Sequence, residues 1–182
     1  MAITGKSNLQ QRSDADQLTQ SESDQWLRTG MMGLDDAIKF MVLEDGFFFE
    51  SSTSYHRFAL ELFLFPYVFG KKLGHNFSQN YTNKIQKMLD VVFYISGPGN
   101  YIPQIGDNDD GRLLILSKYG NWTKDDFSYL LGIGGFLFDR DDFKGSCKVP
   151  PEELFWIYNH DDFENKAPIK NMYKRSKSFL ES

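Results

Sequence analysis

The stretch from Phe58 to Phe69, FALELFLFPYVF, constrains everything around it. Wound as an α-helix it is apolar almost all the way round, through Phe58, Ala59, Leu60, Leu62, Phe63, Leu64, Phe65, Tyr67, Val68 and Phe69. Such a helix persists only when neighbours cover most of its sides. Serines and a threonine at 51–54 supply caps for its first free N–H groups, and Gly70 marks its end. Pro66 has no N–H to give, so it is expected to kink the helix or end its regular part.

The neighbours have helical spacing too. Ser21 and Asp24 form a capping box, and Leu27, Met31, Leu34, Ile38 and Met41 then fall on one stripe of a helix that runs to about Leu43. The turn EDG at 44–46 stops it, and FFFE follows in an extended or loop conformation. A third helix is expected from Ser78, with Tyr81, Ile85, Met88, Val92 and Ile95 in register, ended by GPGN at 97–100. After a long loop, 113–119 fits a short helix. Thr123 and Asp126 cap another that runs to about Phe138, loosened by Gly132, Gly134 and Gly135, and Pro151 suits the first turn of a last one. No segment alternates as a strand does. The expected fold is all-α, built of antiparallel helix hairpins joined by short connections.

Residues 1–20 are polar and read as a disordered or loosely held arm, 21–165 as the helical domain, and 166–182 as a polar, lysine-rich tail or linker. The net charge of −5 argues against nucleic acid as partner. It leaves room for an acidic polysaccharide, because a local cluster of Arg and Lys can act inside an acidic protein. The 17 phenylalanines and 9 tyrosines serve a filled core or a groove that stacks on sugar rings. No run reaches the roughly 18 apolar residues of a membrane span. The N-terminus has no apolar stretch of the signal-peptide kind, which leaves the cytoplasm, or the periplasm for a piece of an exported protein.

Two segments hold candidate chemistry. GDNDDG at 106–111 looks like a calcium loop, but with Gly111 at position six, Gly106 and Ser117 fall where carboxylates belong. It reads as a tight acidic turn, or as part of a functional loop carrying Gln104, Asn108 and Arg112. Arg112 fits either a substrate contact or a structural ion pair. His56, His75 and His160 are far apart and Cys147 has no partner, so no metal or other cofactor is expected. The second segment is SSTSYHRF. It reads as an ordinary helix start with Tyr55 and His56 half-buried, or as a site in which Tyr55 moves a proton while His56 and Arg57 tune it or bind an anion. A tyrosine titrates near about 10, so acting as a base requires neighbours that favour the phenolate. A helix N-terminus is one such field.

Together, LEDGFFFESSTSYHRFALELFLF and YIPQIGDNDDGRLL resemble the helical domain of the heparinase II/III-like polysaccharide lyases. The resemblance is narrower to members found with bacterial surface-polysaccharide genes, and it covers roughly residues 24–165. It implies part of an incomplete α/α toroid, normally followed by a β-sandwich, and β-elimination on uronic-acid polysaccharides of the glycosaminoglycan or alginate kind. Tyr55 matches the catalytic tyrosine. The residues beside it and in the acidic loop, Glu50, His56, Arg57, Gln104, Asn108 and Arg112, are the candidate substrate contacts from their chemistry and position. The family's Asn-His pair falls at TGKSNLQQRSD, where Asn8 has no histidine after it, and the chain stops at KSFLES, about where the sandwich begins. The expectation is a fragment lacking part of the catalytic set, with a missing β-sandwich or self-association covering its open face. The alternative is a non-catalytic glycan-binding or helical interaction domain.

Overall fold

The computed structural model describes residues 4–97, 101–109, 111–113, 123–147 and 153–157, with backbone alone for 4–21 and 155. Six helices follow one another: α1 (Thr4–Met41), α2 (Thr53–Lys72), α3 (Gln79–Ile95), α4 (Ser128–Leu137), α5 (Asp141–Lys144) and α6 (Glu153–Ile157). Among the described residues the only β-type pairings are two isolated bridges, Val42 with Phe48 and Tyr101 with Asp126, so the fold is all-α.

The chain divides into two units, 1–37 and 38–182. The first consists of α1 up to Ala37, which begins at Thr4 rather than at the expected cap near Ser21. Residues 4–20 lack proline and carry Gln, Leu, Ala, Lys and Arg, all good helix formers, so a polar sequence there still winds as helix.

In the second unit the last turn of α1 delivers Ile38, fully buried, and then stops. The EDG turn reverses the chain: Gly46 donates to the Leu43 carbonyl at 3.1 Å, and Leu43 donates to the Phe47 carbonyl at 2.9 Å. Gly46 sits at φ +94°, and a Cβ there would lie 2.5 Å from the Lys87 carbonyl oxygen of α3, so only glycine fits. Lys84 locks this corner from α3, giving its ammonium to the carbonyls of Val42 (2.8 Å) and Leu43 (3.2 Å) and to Glu44.

α2 is buried round most of its circumference, as its composition requires. It runs through Pro66 to Lys72 instead of ending there. α3 pairs with it antiparallel: His56 meets Met88, Phe63 meets Tyr81, and Tyr67 meets Phe77, one number rising as the other falls. Ser78 caps α3, and its stripe Tyr81, Ile85, Met88 and Val92 is completely buried. The rings of Tyr67, Phe77 and Tyr81 stack between the helices, and the Tyr81 hydroxyl donates to the Phe63 carbonyl at 2.9 Å, so these aromatics fill core. α4 starts later than its capping box suggests, because Asp126 uses its carboxylate to hold the Ser128 amide at 2.9 Å. Gly134 lets α4 approach α3 closely; a Cβ there would meet Leu89 Cδ1 at 2.5 Å. The short helix expected at 113–119 and the proline expected at a helix first turn lie outside the described residues.

Candidate functional site

The start of α2 is built for interlocking. Ser52 caps it by accepting the Tyr55 amide at 3.2 Å, and its own hydroxyl donates to the Asp107 carbonyl at 2.6 Å. The Thr53 amide donates to the Ile105 carbonyl at 3.0 Å, and the Ile105 amide returns the contact to Thr53 Oγ1 at 3.1 Å. Ser54 reaches Asn108 Oδ1 at 3.1 Å. The two segments that carry the family resemblance therefore lie against each other, although some fifty residues of chain separate them.

Gly106 makes that approach possible. It sits at φ +70°, and a Cβ there would come within 3.0 Å of both Ser51 O and Ser52 Cα. Ser51 opposite it also holds a left-handed conformation, φ +57°. Gly106→Ala is expected to cost about 1–3 kcal/mol, seen as a lower denaturant midpoint with an unchanged slope. An unchanged midpoint would mean that the loop detaches from α2 at no cost.

From this start, consecutive side chains go opposite ways. Tyr55 is half-buried and turns outward to a pocket of about 350 Å³, floored by Met41, Phe48, Phe58, Leu62 and Phe63 and edged by Glu50, Ser54 and Asp109. Among the described residues nothing hydrogen-bonds the Tyr55 hydroxyl, and no His or Asn side chain reaches it.

His56 turns inward and is fully buried. The Phe48 amide donates to its Nδ1 at 3.2 Å, which leaves the proton on Nε2 to go to the Met88 carbonyl at 3.1 Å. Burial pushes its pKa down to about 4. An unfolded histidine takes its proton near 6.5, so between those values the unfolded state binds more protons. Stability is therefore expected to fall as pH drops from about 6.5 to about 4, by about 3 kcal/mol in all. Denaturant unfolding of the wild type and His56→Asn across that range checks it: the variant should lack this share of the loss, and parallel profiles would contradict it.

Arg57 is likewise 0% exposed. Its Nη2 donates to the carbonyls of Asp109 (3.2 Å) and Gly111 (3.0 Å), its Nη1 to that of Lys124, and its guanidinium lies 5.2 Å from the Phe127 ring centre. Neither His56 nor Arg57 presents an atom to a ligand here; both hold the fold. Arg112 is buried too, with Nε 3.5 Å from Glu61, Nη2 3.5 Å from Glu153, and its guanidinium 4.2 Å over the Tyr129 ring. Of its two sequence readings, the ion pair is what the structure contains. Gln104 is exposed and folds its own turn, donating to the carbonyls of Gly106 and Asp107 at 3.2 Å each. Glu50 lies at the pocket edge, and Asn108 adjoins it through Ser54.

Glu61 is the residue that sequence reasoning missed. It is 0% exposed, accepts the Leu113 amide at 2.5 Å, and accepts a short hydrogen bond from the Tyr129 hydroxyl. Burial, with the Glu61 carboxylate beside it, raises the Tyr129 pKa well above the ordinary phenol range, so Tyr129 stays a donor. Two cations, Arg57 and Arg112, and two carboxylates, Glu61 and Glu153, thus balance in the interior. The signal was present: a lone carboxylate inside an otherwise apolar helix, one turn after an arginine, points to a buried pair. Among the described residues no group of three or more His, Cys, Asp or Glu is placed to hold a metal, and no helix is long and apolar enough to cross a membrane.

The described residues thus form an all-helical fold with a tyrosine in the first turn of α2, facing a pocket beside the acidic loop. Residues 20–127 match the model of the Heparinase II/III N-terminus family, and the chain belongs to that family. It is 35% identical over 106 residues to the heparin-sulfate lyase of Pedobacter heparinus. That alignment covers 57% of this chain but only 16% of the relative. No solved structure matches the chain.

Proposed function

We propose that the chain is helical-domain material of a lyase that cleaves a uronic-acid-containing polysaccharide by β-elimination, with Tyr55 as its acid/base residue. In that reaction a base takes the proton from C5, a C4–C5 double bond forms, and the bond from C4 to the bridging oxygen breaks. An acid protonates the departing oxygen, and the uronate carboxylate must be neutralised while charge builds at C5. The observation that carries the reading is the orientation of Tyr55: among the described residues its hydroxyl has no hydrogen-bond partner and it lines a pocket, while His56 and Arg57 after it are committed to the core. Asn108 suits carboxylate neutralisation, because its Oδ1 accepts from Ser54 and its NH₂ is left to donate. The pocket's charged edge, Glu50 and Asp109, is acidic, so on this reading further positive charge comes from outside the described lining.

The test is incubation of the whole lyase that contains this helical domain with heparin, heparan sulfate and alginate, followed by ultraviolet absorbance of the unsaturated product. Rising absorbance is expected. Binding without absorbance on every substrate would leave the second reading, a glycan-binding or helical interaction domain. The acidic edge and apolar floor of the pocket are what favour that alternative.

A further inference from the structure

The side of α2 turned away from Tyr55 carries a second arrangement. Arg57 and Glu61 lie one turn apart on that helix, are both 0% exposed, and reach the same short segment, 109–113. Arg57 takes the carbonyls of Asp109 and Gly111 with Nη2 and, with Nη1, the carbonyl of Lys124 at 2.5 Å. Glu61 takes the Leu113 amide with Oε2 and faces Arg112 with Oε1. Asp109 and Gly111 are also lining residues of the Tyr55 pocket. A single segment is thus gripped from within by α2 and forms a wall on its outer side.

We propose that Arg57 and Glu61 are positioning residues, which hold Asp109 and residues 111–113 in place, fix the stretch of pocket wall that Asp109 and Gly111 form, and so set how tightly a polysaccharide binds beside Tyr55. The proposal rests on the lyase reading above. Its physical basis is that Asp109 and residues 111–113 belong to no helix or strand, so their main-chain groups need partners from elsewhere. The arginine fork spans carbonyls from two separate segments at once, which a lysine ammonium cannot reproduce. The grip acts on main-chain atoms, so it fixes where the wall stands whatever side chains the wall carries. A contact within this stretch, Gly111 N–H to Asp109 Oδ1 at 2.7 Å, shapes the turn but does not tie it to α2.

Arg57→Lys and Glu61→Asp test this, because each keeps the buried charge while losing reach. Two readouts are taken on the same samples: hydrogen exchange at the Leu113 amide, referenced to Leu89 in α3, and KM and kcat on heparin and alginate. Leu113 exchange should rise at least about tenfold with Leu89 unchanged, since only local opening is made easier. KM should rise at least about tenfold with kcat within about twofold, the mark of lost binding rather than lost chemistry. Unchanged Leu113 exchange overturns the proposal, and so does faster exchange with unchanged KM. If Arg57→Lys fails to fold, Glu61→Asp decides alone by the same two readouts. Wild-type protein that cleaves neither polysaccharide, whether or not it binds them, defeats the underlying lyase reading instead, and that arm separates the two failures.

Discussion

Tyr55→Phe is expected to lower turnover on a uronate polysaccharide by roughly 100- to 10,000-fold, the usual contribution of one general acid/base group. The fold should barely notice. Among the described residues the Tyr55 hydroxyl has no hydrogen-bond partner, so removing it leaves no buried group unsatisfied. The ring stays against the pocket, with Phe58 and the Phe48 floor still beside it. Affinity for the polysaccharide should therefore persist while kcat collapses, and the thermal midpoint should stay where it was. Steady-state kinetics and a melting curve on the same preparation decide the matter. A variant with full kcat removes Tyr55 from the chemistry. One that is intact in kcat but several degrees less stable makes the side chain a packing element of the helix start.

Glu61→Ala should act the other way, on stability rather than on a chemical step. It strips the Leu113 amide, the Tyr129 hydroxyl and Arg112 of a shared acceptor that is itself fully buried. Breaking a buried ion pair from one side costs about 3–5 kcal/mol, because the surviving charge stays buried. Chemical denaturation should show the midpoint falling by that amount. The companion experiment replaces Glu61, Arg112, Tyr129 and Glu153 together by Leu, Met, Phe and Leu, so that the second carboxylate facing Arg112 goes with it. An apolar cluster of similar volume should recover much of the loss. If Glu61→Ala costs no more than a surface substitution, about 0.5 kcal/mol, the cluster is hydrated in solution and its balance of charge carries no weight.

Helix existence was legible in the chain wherever the apolar spacing was strong. The stripe of α3, its cap at Ser78 and the largely apolar α2 all follow from residue order, because burial and spacing are the same fact seen twice. The junction between the helix start and the acidic loop was not legible, since no local rule connects Ser52 to Asp107. What the chain did not disclose was direction. Tyr55, His56 and Arg57 are neighbours in sequence, yet the helix sends the first outward and the other two into the core. Polar type suggested that all three met solvent, and packing overrode it. The length of α1 was hidden for a related reason: polarity of the first twenty residues speaks to their lack of a core, not to their backbone. Glu61 was hidden because its partners, Leu113, Tyr129 and Arg112, come from regions that become neighbours only on folding.

The stitching of α2 to the acidic loop also bears on the order of assembly. The α2–α3 hairpin closes over the short turn around Gly74, so its contacts are local and cheap in chain entropy. The ties from Ser52, Thr53, Arg57 and Glu61 to 105–113 each close a loop of about fifty residues, and such contacts form late and slowly. The hairpin is thus expected to appear first, with the Tyr55 pocket lacking its outer wall until the final step. Stopped-flow refolding should then show hairpin helicity ahead of ligand competence, with the pocket serving as a reporter of completed folding.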